Sequence, residues 1–391
     1  MKTSSPAPSP APSPAPAPTS AGTEPPDAPA PPAPATGAFD DLDRARALRR
    51  SRIWVASLSA ALLATLVGGV AIGPVTIAPE DVVRIVGHHL LGVPETVTWS
   101  EAHESIVWRL RVPRVLLGAA VGAALAICGV ALQAMVRNVL ADPYLLGVTS
   151  GASTGAAAAI LFGVGAAAFG EEALAGSAFV GALGASALVF LLARVTGRIT
   201  SVRLLMSGVA VGYALYAATS FLIFASPNPE GARSVLFWLL GTLSLARWSV
   251  ILAIVLVVVA LTLAVLLVHS RALDALAIGD ETALTLGMAP GRVRARLLVV
   301  LALCIGAVVA AAGGIGFVGL VMPHLARRFV GGAHRRVLPV AALMGAVFLV
   351  WADVFARTVV QPQELPIGIL TSLVGAPFLL LLVRRLHAAT D

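Results

Sequence analysis

Two long uncharged runs constrain this chain more than any other feature. Trp248–Ser270 holds no Asp, Glu, Lys or Arg, and after Arg296 no charge recurs until Arg327, an uncharged gap of 30 residues. Crossing a bilayer takes roughly 20 apolar residues, so each run predicts membrane-spanning helix. Between them lies the main polar interruption of the middle of the chain, Arg271 to Arg296, RALDALAIGDETALTLGMAPGRVRAR. It reads as two short helices: Asp274–Ile278 closed by Gly279, then Glu281–Leu286 with Asp280 as N-cap and Gly287 as its stop. A folded loop of this kind predicts a point where force from a partner enters, with the spans around it moving in response.

Composition agrees. At 58% hydrophobic and 12% charged, the chain falls outside the soluble globular class. The net charge of +7, from 27 basic against 20 acidic residues, is carried almost wholly by arginine, because Lys2 is the only lysine. A P-loop needs a lysine on its phosphates, so this chain is no P-loop ATPase, and any ATP-driven step belongs to another subunit. Its two cysteines, Cys128 and Cys304, fall inside apolar spans and read as buried thiols. Neither a metal site nor a nucleic-acid surface is indicated.

Three regions follow. Residues 1–38 form a Pro/Ala/Ser tail without enough apolar mass to fold, expected as extended disordered chain. It lacks the h-region of a signal peptide. Residues 39–52 read as a juxtamembrane helix whose Arg44, Arg46, Arg49, Arg50 and Arg52 hold that end in the cytoplasm. Residues 53–388 are expected as the transmembrane domain of an all-α membrane protein, with 271–296 as an inner loop.

Ten spans are expected, with cores near 53–73, 114–135, 143–162, 174–194, 202–224, 249–269, 297–316, 317–330, 337–356 and 366–386. Alternating from an inside start puts 19 arginines inside and only Arg84, Arg109, Arg111, Arg114, Arg233, Arg247 and Arg357 outside, 7 in all. That bias satisfies the positive-inside rule with both termini cytoplasmic. The seventh and eighth spans share the uncharged run after Arg296, broken by Gly313, Gly314, Gly316, Gly319 and Pro323. Spans 2–5 and 7–10 then make two four-helix sets of opposite orientation, with helices 1 and 6 outside them. Abundant Gly and Ala, as in GAAVGAALAICGVA at 118–131, predict close helix packing.

Several motifs together resemble a known family. They are Arg111-Val-Pro-Arg114, Gly129-Val-Ala-Leu-Gln133, Asn138-Val-Leu-Ala-Asp-Pro143, Leu146-Gly-Val-Thr-Ser-Gly151, Gly279-Asp-Glu, Gly314-Ile-Gly-Phe-Val-Gly-Leu-Val-Met-Pro-His324, Ala352-Asp353 with Arg357, and Glu364-Leu-Pro-Ile-Gly368 through Gly375-Ala-Pro377. They resemble the FecCD-type permeases of bacterial ABC importers for iron–siderophores, haem and vitamin B12, across roughly residues 53–388. One departure is Val139, where the family usually has the proline of Asn-Pro-Leu-Ala.

The resemblance implies a permease homodimer in the cell membrane, seated on two ATPase subunits that hold ATP and Mg, and fed by an extracytoplasmic substrate-binding lipoprotein. It implies neither a catalytic residue nor a cofactor on this chain. Arg111, Arg114 and Arg357 match positions that dock carboxylates of the binding protein, a role suited to bidentate guanidinium geometry. Leu276, Gly279, Asp280, Glu281 and Gly287 match the coupling segment that sits on the ATPase. Thr200 and Ser201 match the cytoplasmic gate. Ferric siderophore is the first expected cargo, with cobalamin and haem behind it. His324, beside Pro323, is expected to satisfy backbone groups in a broken helix, and Asp353 to pair with Arg357 one turn on. An ion-coupled secondary transporter would share ten spans and inverted halves, but would usually carry buried carboxylates where spans 2–7 have none.

Overall fold

The structure, a computed structural model, describes residues 36–194 and 200–387. The tail expected at 1–38 therefore lies almost wholly outside the described residues. The chain groups into Met1–Arg44 and Ala45–Asp391; the described part of the first unit is the start of helix α1 (Thr36–Ala71).

Every regular element among the described residues is helical. After α1 come α2 (Pro79–Leu91) and the short α3 (Glu101–Glu104), which runs through a π-turn segment, Ser105–Arg111, into α4 (Val112–Val136). Next are α5 (Val148–Phe162), the single turn α6 (Ala166–Phe169), α7 (Ala173–Ala193), α8 (Ser201–Ala225) and α9 (Pro229–Leu239). Then follow α10 (Val250–Val268), α11 (Ser270–Ile278), α12 (Asp280–Thr285) and α13 (Pro290–Ala312). The chain closes with α14 (Val318–Val330), α15 (His334–Thr358) and α16 (Ile367–His387).

Each of the ten expected spans coincides with one helix: α1, α4, α5, α7, α8, α10, α13, α14, α15 and α16. Seven of these are long and apolar enough to cross a membrane alone, while α5 is a shorter apolar helix. The difference has a geometric origin. Gly147, at φ 69°, ends a 3₁₀ turn at Pro143–Leu146 and starts α5, which leaves 15 residues, or about 22 Å at 1.5 Å per residue. α14 is shorter still at 13 residues, because Phe317 at φ 68° opens it and Gly331 at φ 79° closes it.

The packing obeys an exchange rule. α4, first of its set, lies on α15 and α14, the third and second of the other set; α13, first of the second set, lies on α7 and α5. That is the pattern two inverted four-helix sets produce. Glycine makes these crossings possible. A Cβ on Gly122 would stand 2.1 Å from the Gly345 carbonyl oxygen, and one on Gly129 would stand 1.9 Å from that of Gly319. Small residues of this kind let backbones touch where lipid supplies no hydrophobic drive between helices. α1 leans on the second set through the stacked rings of Trp54 and Phe329, 4.3 Å apart, and a Trp351 Nε1–Thr65 Oγ1 bond of 3.1 Å.

Candidate functional site

The segment between α10 and α13 is where the sequence places force transfer, and there the structure builds a clamp. α11 begins at Ser270 rather than Asp274, one residue after α10 ends, with His269 as the joint. Gly279 separates α11 from α12 in a fully extended conformation (φ 161°, ψ 162°), and its N–H donates to the Ala275 carbonyl at 3.1 Å. Gly287 occupies the left-handed region at φ 75°, as its expected role as a stop requires.

Asp280 departs from its expected role. It is not an N-cap but the first residue of α12. Its carboxylate is taken by Arg294 of α13 in a fork of 2.9 and 2.6 Å, while the same guanidinium donates through Nε to the Met135 carbonyl at the end of α4 at 3.0 Å. Arg294 is the largest fully buried side chain among the described residues. Two partners satisfy it, as burial of a charge demands. A second tie joins α11 to α15: Asp274 Oδ1 lies 2.6 Å from His334 Nδ1 and accepts the His334 backbone N–H at 2.9 Å. Burial pushes the Asp274 carboxyl up, but the His334 bonds and the nearby Arg336 charge outweigh it, and its pKa lies below the ordinary value.

The clamp sorts the expected coupling residues by position. Leu276 is buried with Leu273 and Ala283 in the floor of the loop, so it anchors the segment and presents no side chain to a partner. Glu281 is exposed. Around it stand Ile278, Leu284 and Leu286, exposed at 71%, 55% and 65%. The sequence reading missed these three, together with Arg294 and His334. Three large aliphatics within nine residues of a polar loop were the available signal.

At the C-terminal end of α4, the turn that lacks the family proline closes without it. Arg137 takes φ 55°, and the Asn138 side chain accepts the Leu140 N–H at 2.9 Å. An Asx turn replaces the missing ring. Nearby, Arg327 of α14 donates to Gln133 Oε1 at 2.6 Å, linking α4 to the end of α14. Thr200 caps α8, its Oγ1 accepting the Arg203 N–H at 3.4 Å, and Ser201 is the first residue of that helix. The His324 side chain makes no hydrogen bond among the described residues. Instead it meets Phe378 of α16 edge-on at 5.8 Å, so the expected backbone partner is replaced by a ring.

The three arginines expected to dock a partner all turn inward. Arg111 is buried and donates to the Val70 and Ala71 carbonyls at 2.9 Å and to that of Val75. Arg357 is buried, bonds the Gly69 carbonyl, and lies 3.5 Å from Asp353, the expected i,i+4 pair. Arg114 is almost fully engaged. It holds Asp353 through three contacts of 2.8 to 3.1 Å and Glu364 through two of 2.9 and 3.0 Å. Within this chain all three residues already have partners in the fold. They knit α1, α4, α15 and the approach to α16.

Residues 61–385 match the FecCD transport family. The chain belongs to that family. Among relatives of this FecCD permease, the cobalamin import system permease BtuC of Halobacterium salinarum is 45% identical, with 75% of each chain covered. The hemin transport system permease HmuU of Yersinia pestis is 40% identical, covering 73% of this chain and 86% of that one. The Fe(3+) dicitrate permease FecD of Escherichia coli is likewise 40% identical, covering 73% and 88%. A solved structure described as an inward-facing metal-chelate type ABC transporter superposes with a TM-score of 0.72 at 31% identity, over 85% of this chain and 98% of that one. The FecCD chain is thus a membrane-embedded permease subunit of an ABC importer, and the loop between α10 and α13 is its candidate functional site.

Proposed function

We propose that the chain is half of a homodimeric conduit that imports ferric siderophores across the cell membrane, both termini cytoplasmic. Two separate ATPase subunits would bind ATP and Mg and act on the α11–α12 loop, and an extracytoplasmic receptor lipoprotein would deliver cargo at the opposite face. One observation carries this reading. Ile278, Leu284 and Leu286 are exposed on the short segment that carries Glu281, on a base tied by Arg294 to α4 and by Asp274 to α15. Exposed aliphatics on a rigid polar mount suit a groove in another protein.

At the receptor face, Arg111, Arg114 and Arg357 hold the rim in shape, while Glu364 at the edge of the Arg114 cluster is half-exposed and open to rearrangement. On α8, Tyr213 and Tyr216 are exposed near mid-helix, where a hydroxyl facing lipid is costly. A water-filled path between two copies would satisfy them, with Thr200 and Ser201 at its inner gate. Cobalamin is the second cargo reading, favoured by the 45% identity to a cobalamin permease.

Reconstitution with the ATPase and receptor tests all of this. Labelled ferric siderophore should enter vesicles only when ATP and the ATPase are both present. Uptake on a proton or sodium gradient with no ATPase would end the proposal; ATP-dependent uptake of cobalamin alone would move the cargo to the second reading.

A further inference from the structure

On the membrane face where α4, α7 and α10 begin, Trp108, Arg109, Arg247 and Trp248 surround a recess of about 480 Å³, also lined by His89 and Glu104. Its rings lie in a row, His89 stacked on Trp108 and Trp248 tilted against it by 37°. His89 lies 4.3 Å from Trp108 and within 7° of parallel, and Trp108 lies 5.0 Å from Trp248. Trp248 Nε1 donates to the Trp108 carbonyl at 2.6 Å, which fixes the two indoles together. The acid in the recess is already engaged, since Glu104 meets His89 Nε2 at 2.9 Å and accepts Trp99 Nε1–H at 3.2 Å. The bases are not. Arg109 is exposed, and among the described residues no hydrogen bond or ion pair engages it. Arg247, also exposed, reaches Glu172 at 3.4 Å through one nitrogen, leaving its other donors open.

Arg247 also lines an adjoining hollow, which shares Glu172, Ala175, Ile251 and Ala310 with an apolar groove of about 280 Å³ between α7, α10 and α13. Phe179, Ile254 and Val255 line the deeper part of that groove. The recess that holds the arginines and indoles therefore leads, past Arg247, to the apolar slot.

We propose that recess and groove together hold one anionic glycerophospholipid: Arg109 and Arg247 take the phosphate, Trp108 and Trp248 flank it, and an acyl chain occupies the slot. Guanidinium forks match phosphate oxygens in geometry and charge. Indoles settle at the headgroup level of a bilayer. Inorganic phosphate would use the arginines but gain nothing from the slot, and a zwitterionic headgroup would bring a cation against two arginines. The proposal needs only that the chain sits in a membrane; it is independent of cargo and of the ATPase.

Native mass spectrometry of the full chain in detergent, titrated with phosphatidylglycerol or phosphatidylcholine, tests it. Phosphatidylglycerol should be retained in preference, and R109Q/R247Q should weaken that retention by about 30-fold, from two arginine–phosphate contacts. Filling the slot with Ile254→Trp should weaken lipid retention with both arginines intact. Equal retention by the wild type and R109Q/R247Q, at matched melting temperatures, would overturn the proposal. Displacement of the lipid by millimolar inorganic phosphate, with Ile254→Trp inert, would reduce the site to a free-anion site and also overturn it. So would receptor protein protecting Trp108–Arg109 from hydrogen exchange while lipid retention is unchanged in R109Q/R247Q.

Discussion

At Gly129 a single hydrogen decides whether α4 can touch α14, since a methyl there would overlap the Gly319 carbonyl. Gly129→Ala should therefore destabilise the protein by about 1–3 kcal/mol or more, the usual range for overpacking. Gly291→Ala, with nothing within 4 Å of the added atom, should leave the melting temperature unchanged in the same assay. Arg114 makes a second prediction. It stands between a fully buried Asp353 and a half-exposed Glu364, and Arg114→Glu strands both. Breaking a buried pair costs about 3–5 kcal/mol, so thermal unfolding should register this variant even with no receptor present. If Arg114→Glu melts like the wild type and only receptor affinity falls at low salt, the inward placement of this side chain is refuted. Neither residue's weight was legible in its own stretch of sequence. Gly129 looked like any small residue in a run of them, and the Arg114 partners lie 239 and 250 positions away.

The α11–α12 loop was legible as an element but not in its internal wiring. Alternating glycine stops announced two short helices, and the structure contains two. What the sequence hid is that the Asp280 carboxylate turns away from its own helix start to an arginine 14 residues on, across a turn that no local pattern specifies. Removing that bond should uncouple motor from conduit. Asp280→Asn keeps the shape and loses the charge-assisted fork, so ATP hydrolysis by the assembled complex should continue while uptake per ATP falls. Unchanged uptake per ATP would show that the bond carries no force. The second tie is sensitive to pH. Because the folded-state pKa of Asp274 lies below its unfolded value, its contribution to stability is present above the unfolded value and fades as pH falls through the folded one. Loop 270–287 should thus exchange its amide hydrogens faster as pH drops below about 4, after correction for intrinsic rates. Asp274→Asn should flatten that dependence.

For the whole molecule, hydropathy and the glycine breaks placed a helix at each expected span, because lipid permits few alternatives for an uncharged run. They could not show which helices touch, since that depends on where glycines on different helices meet face to face. The exchange of partners between the two sets supplies it and places α4 at the centre, with most of its apolar stretch buried. α4 is a rod of 25 residues, about 37 Å long, and its tips answer to different neighbours. One tip is gripped through the Met135 carbonyl by the loop's arginine, while the other, through Arg114, grips Asp353 and Glu364. A stiff beam seated this way cannot be shifted at one end alone. Any tilt imposed at the Met135 end is passed to the seat from which α16 departs at the other end of α4, so the loop and that seat are geared to each other.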